Sequence, residues 1–384
     1  MNSHQRALLA FGVLVTVVVI SAFIWLIVLT SANPTTEPIT QPLAENTPAE
    51  PTTTTPPAPV PEVVKPKSAQ IVFGADFSND KGCNTHGNAG CDIFLADITL
   101  DGAVSTIKQL TSHDGSEVFP TFSADAKTVY TNAWSSPKQA NVEWFDVASG
   151  KAGVLQTGAR GLAPLLDGKR AVYAPLAANS PLYMAEFSSP TSLSNPTAIT
   201  GNGDFNEPHA SYLGDIIFYE LFGAGKGSNS AQPKIYQVST GKIIDINQAG
   251  AAHCFWGYAG TTAYCNNVES FPGIQSWSFI NGIVGAAVGA IHHPKPAVVS
   301  KVDADYAACK TTSFAYGAFC DADHLIVTMG CATETATGLD TTMSKLALLD
   351  LTQKPPTIIP LGKNLADAFG GPGGSSYTAS CRMR

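Results

Sequence analysis

Three observations predict an all-β fold assembled from six copies of one unit. A short apolar strand recurs at Asp92–Ile98, Val142–Val147, Leu182–Phe187, Lys234–Val238, Gln275–Phe279 and Lys345–Leu351. The recurring unit is roughly 40–50 residues, the size of a supersecondary unit that cannot bury its apolar face alone and must stack. Charged residues make up only 14% of the chain, while 34 Gly and 26 Pro supply many tight turns. Two packed sheets forming a sandwich would answer the same composition, but they would not require six copies in phase.

The elements before the repeat read differently. From Ala7 to Thr30 no residue is charged, and Val, Leu, Ile, Phe and Trp dominate. About 20 apolar residues span a bilayer core, and a cleaved signal peptide has an apolar stretch of only about 7–15. Residues 1–32 are therefore expected to be a cytoplasmic tip and a signal-anchor helix; Thr30-Ser31-Ala32 also offers a signal peptidase a site. Arg6 precedes the span and no Lys or Arg follows until Lys65. The positive-inside rule then puts everything after Ala32 outside the cytoplasm, as a periplasmic or cell-surface domain. Residues 33–67 form a Pro/Thr-rich stalk. At about 3.1 Å per residue of polyproline II, it would reach on the order of 100 Å.

The folded part is expected over 68–384. Beyond the anchor the chain carries 21 basic and 30 acidic residues, a balance of −9 that argues against nucleic acid as partner. All eight cysteines, at 83, 91, 254, 265, 309, 320, 331 and 381, lie in this part, and an even count outside the cytoplasm implies disulfides. Cys83–Cys91 would close a Gly/Asn-rich loop and Cys254–Cys265 would clip a hairpin. Cys309 and Cys320 flank one predicted strand and stand too far apart to bond each other, which favours Cys309–Cys331 and Cys320–Cys381. Cys83, His86 and Cys91 lack a fourth ligand at metal spacing, so neither a metal nor any other cofactor is expected.

The fullest copy of the unit runs from 92 to about 134. Leu110-Thr111 precedes Pro120-Thr121-Phe122-Ser123-Ala124-Asp125-Ala126-Lys127 and the strand Thr128–Thr131. This resembles the TolB-type, WD40-like propeller repeat, in which Pro-x-(Trp/Phe)-Ser-Pro-Asp-Gly-Lys turns the chain between two inner strands. Ala124 and Ala126 stand where that family has Pro and Gly. Looser copies begin near Ala163, Glu207, Cys254, Gly317 and Ser376. The last stops where its partner strand should begin, and Gln70–Ala75 has the pattern to supply it. The resemblance thus implies a six-bladed propeller closed by its N-terminal strand, leaving no free sheet edge at the seam. Residues 281–310 fit worst and read as an insertion or a long strand pair.

Catalytic motifs are scarce. There is no Gly-x-Ser-x-Gly elbow and no His-Glu-x-x-His pair. Gly223–Ser228 lacks the spacing of a phosphate loop, and Gly370–Gly374 reads as a surface turn. What remains is a set of polar residues in the loops before the innermost strands: His113, Asp114, Glu117, Arg160, Asp204, Asn206, Glu207 and His253. They would ring one mouth of the central channel and are the expected ligand or partner site, although Arg160 paired with Asp204 or Glu207 would be structural. The expected function is a non-catalytic scaffold binding an envelope protein or peptide. The alternative is a small-ligand receptor for glycans or peptides, or a hydrolase, with its site at that mouth.

Overall fold

The computed structural model describes residues 67–77, 90–112, 115–136, 138–211, 213–221, 231–246, 251–267, 273–280, 283–335, 338–370 and 375–384. The expected anchor and stalk (1–32 and 33–67, apart from Lys67), His113, Asp114 and Cys83 lie outside them. No described helix is long and apolar enough to cross a membrane.

Six four-stranded antiparallel sheets make six blades. Their innermost strands are β4 (Ser116–Phe122), β8 (Ala159–Pro164), β12 (Phe205–Ala210), β16 (Ala251–Trp256), β20 (Thr311–Phe319) and β24 (Ser375–Met383), heading blades one to six in that order. Blades one to five are each built from four consecutive strands. Blade six takes β24 first and then β1 (Ser68–Asp76), β2 (Asp92–Thr99) and β3 (Val104–Gln109). The N-terminal strand closes the ring, with Ala69 opposite Met383 and Ile71 opposite Cys381.

Position in the blade explains each strand's sequence. The second strand of a blade has neighbours on both edges and both faces, so it shows no alternation: β1 is buried from Ala69 to Asp76. Ile216-Ile217-Phe218 and Leu325-Ile326-Val327 are the same kind of run, all fully buried. Between blades five and six, Ile326, Leu346 and Leu348 pack against Ile71, Phe73 and Phe94. The helix Leu361–Phe369 turns Leu361 and Leu365 into this layer.

Turns between first and second strands repeat as well. Ala126 N–H donates to Ser123 O (2.8 Å), Gly168 to Leu165 O, Gly214 to Ser211 O and Gly260 to Gly257 O. The donor is left-handed in all four, and in blade one it is Ala126, at φ 55°. An L residue is disfavoured there by about 1 kcal/mol, so the turn persists without its glycine at a local cost.

Residues 281–310 are neither a plain insertion nor a plain strand pair. Ile283–His292 forms the outermost strand of blade four, β19, paired with Gly273–Ile280. A short helix at Pro296–Val299 and a 3₁₀ turn at Ala304–Ala308 follow and bury Val299 and Tyr306. Lys345, 4% exposed, anchors this crossover by ion pairs to Asp303 (3.3 Å) and to Asp305. Cystines join Cys254 to Cys265, Cys309 to Cys331 and Cys320 to Cys381. The last ties blade five to β24, the innermost strand of blade six.

Candidate functional site

Every innermost strand breaks register with its neighbour at the same level. The shifts fall between Val118 and Thr121, Ala159 and Leu162, Asn206 and His209, Ala252 and Phe255, Ala315 and Gly317, and opposite Phe73/Gly74 in blade six. A bulge of this kind re-aims the side chains that follow it. Five of the bulged residues are left-handed: Phe119, Gly161, His253, Tyr316 and Thr378. Their amides find local acceptors. Phe119 N–H donates to Thr378 Oγ1 (3.0 Å), Gly161 N–H to Asn132 Oδ1 (2.8 Å) and Thr378 N–H to Thr328 Oγ1 (3.2 Å). The Phe119 ring of blade one meets Tyr316 of blade five at 5.1 Å, passing in front of blade six, and His253 of blade four lies on Tyr316 at 4.2 Å. These rings cross the waist of the channel.

Beyond the waist, toward the turns, the six strands enclose a cavity of about 610 Å³. Phe119 and Tyr316 line its inner end, and Phe122, Phe255, Trp256 and Phe319 contribute to its walls. The Trp256 indole N–H donates to His209 O (3.2 Å), fixing it against blade three. Leu166 and Tyr258, on the turns of blades two and four, line the cavity and are 49% and 53% exposed. Leu213, on the intervening turn of blade three, is 61% exposed. Among the described lining residues only Arg382 carries a permanent charge.

The described polar residues expected at a channel mouth belong to the end where loops enter the innermost strands, not to this cavity. Glu117, Arg160, Asp204 and His253 do not line this cavity. They belong to the opposite halves of the innermost strands, or just precede them, and only His253 reaches the waist. Glu117 is 1% exposed. Its backbone N–H donates to Cys91 O (2.8 Å), and its Oε2 accepts from Thr111 Oγ1 (3.1 Å), which itself accepts from Ile93 N–H (2.8 Å). Burial pushes the Glu117 carboxyl up to about 8, with Asp92 and Glu143 adding repulsion. It joins blade one to blade six. Arg160 pairs with Asp204 and donates Nε–H to Phe205 O (3.0 Å), joining blade two to blade three. Asn206 and Glu207 fall in β12, and His113 and Asp114 lie outside the described residues.

No protein-family model and no curated protein sequence matches the chain. Among solved structures, TolB from Acinetobacter baumannii aligns with a TM-score of 0.54 at 16% identity, over 82% of this chain. The fold is TolB-like. The match spans 66% of the Acinetobacter protein. A putative TolB from Agrobacterium tumefaciens gives 0.48 at 11% identity, over 83% of this chain and 99% of that one. A luciferin-regenerating enzyme gives 0.42 at 11%, over 65% and 77%. In this TolB-like propeller, sequence reading missed Arg382, Leu166, Leu213 and Tyr258. The available signal was the bulky apolar residue at or just before the turn glycine in Leu166-Asp167-Gly168, Leu213-Gly214 and Tyr258-Ala259-Gly260.

Proposed function

We propose that the chain is a non-catalytic binding scaffold that takes a segment of a partner protein or peptide into the turn end of its channel. The observation that carries this reading is the aromatic-lined cavity opening among three exposed apolar side chains on consecutive blades. Exposed apolar surface next to a concave site marks a place where something docks. We place the propeller outside the cytoplasm, held to a membrane by residues 7–30 and facing an envelope partner. The three cystines support an oxidising compartment. A small-ligand receptor is the second reading, favoured by a cavity volume in the range of small-molecule sites.

The test is site-specific photo-crosslinking of the full chain in its native membrane. A benzophenone side chain is placed at position 258, by the cavity, or at 154, an exposed position on an outer strand. A discrete protein adduct from 258 and none from 154 is the expected result. Equal adducts from both, or none from 258, would overturn the scaffold reading.

A further inference from the structure

The chemistry of the cavity narrows what it holds. The whole chain carries a net charge of −8, yet the one permanent charge among the described lining residues is the cation Arg382. Its guanidinium is held in place: Nη2–H donates to Gln70 Oε1 (2.6 Å), and its centre lies 5.0 Å from the centroid of the Phe122 ring. Gln70 is itself fixed by donating to Asp97 Oδ1 (3.0 Å).

The neighbouring carboxylates, Asp97 and Asp125, act on Arg382 only at a distance and make their contacts with other groups. Asp97 pairs with Arg384 at 2.7 Å and accepts from Thr106. Asp125 accepts from Ser123 Oγ (2.7 Å) and from Lys127 N–H (3.1 Å), with Lys127 Nζ 3.7 Å away. Arg382 makes no ion pair among the described residues, and its Nε–H is buried without an acceptor. Among the described residues one acceptor, Gln70, meets the five N–H donors of this guanidinium, which leaves donors over for a further acceptor. The planar fork of a guanidinium matches a carboxylate.

We propose that the cavity selects an acidic occupant: a carboxylate docks on Arg382 while the apolar or aromatic groups beside it lie against the lining at Phe122 and Phe319. This rests on the reading of the cavity as the binding site. The carboxylate comes either from a chain terminus or from an acidic side chain.

Three synthetic peptides separate the possibilities, titrated calorimetrically into the full chain in nanodiscs: acetyl-Leu-Phe-Leu-Phe as free acid, the same peptide as carboxamide, and acetyl-Leu-Glu-Leu-Phe carboxamide. A charge-assisted pair predicts that an acid binds about 10- to 100-fold tighter than the neutral carboxamide. Arg382→Gln should bring that acid to the carboxamide's affinity and leave the carboxamide unchanged. Whichever acid gains identifies the source of the group. Raising the salt should narrow the gap in the unaltered protein, a readout that does not depend on the variant's folding. Equal binding of all three peptides, or a preference that survives Arg382→Gln, would overturn the acid selectivity and leave the cavity as a site. Binding of none would overturn the site itself.

Discussion

The two ends of the channel use their residues in opposite ways. At the end where loops enter the innermost strands, charge is abundant and already satisfied: Arg160 holds Asp204, and Glu117 is buried beside Thr111. At the turn end the cavity lining carries a single permanent charge, Arg382, and Leu166, Leu213 and Tyr258 stand exposed on the turns of three consecutive blades. Charges that face one another across blades serve to fasten the blades. Exposed apolar side chains have no such use within the ring, and an unmatched charge among aromatics is available to a partner.

That contrast can be broken at either end. The largest effect is expected from Arg160→Met, which leaves Asp204 and the Phe205 carbonyl without their donor. A loss of about 2–4 kcal/mol in urea unfolding is expected, with no change in peptide affinity at the cavity. Weakened peptide binding at unchanged stability would instead assign the loop end a role in recognition.

Glu117→Gln should act through pH. The native carboxyl titrates near 8 and the unfolded one near 4.5. The protonated side chain therefore stabilises the fold fully below pH 4.5, and this contribution fades as the pH rises to about 8. The glutamine variant should gain at least about 1.4 kcal/mol at pH 8.5, the equivalent of one pKa unit, and little at pH 4.5. Melting temperatures that run parallel across that interval would contradict a buried, neutral Glu117.

The smallest effect on stability is expected at the turn end. Leu166→Asp should change unfolding by less than about 0.5 kcal/mol, because the side chain is half exposed. It should nonetheless remove the cross-link from position 258.

Much of the ring was legible because blade position imposes a pattern on sequence. Ile216–Phe218 and Leu325–Val327 announce second strands by being apolar without alternation, and Gln70–Ala75 shows itself as the strand that β24 lacks. The site was not legible, because the bulges set it. At Phe119, His253 and Tyr316 the backbone turns left-handed without a glycine to mark it. Each bulge re-aims the side chains that follow it, and no residue type marks where that happens. Arg382 escaped for another reason: only the ring closure brings it beside Gln70 and Phe122, far away in sequence. The expected signal-anchor at 7–30 and the expected partner of Cys91, Cys83, fall outside the described residues.

The seam of the ring also has a mechanical consequence. Strands β1 and β24 run antiparallel and leave the sheet at the same end, Ser68 beside Arg384. A force drawing those ends apart loads the ladder as a zipper, one residue pair at a time, the weakest way to pull two strands. It can part Ala69 from Met383 and Gln70 from Arg382. At Ile71 it meets Cys381, which is bonded covalently to Cys320 in the adjoining blade. From that point tension on the C-terminal strand passes into blade five, so that β24 stays fastened to its neighbour for as long as the sulfurs remain joined and only β1 can be peeled further.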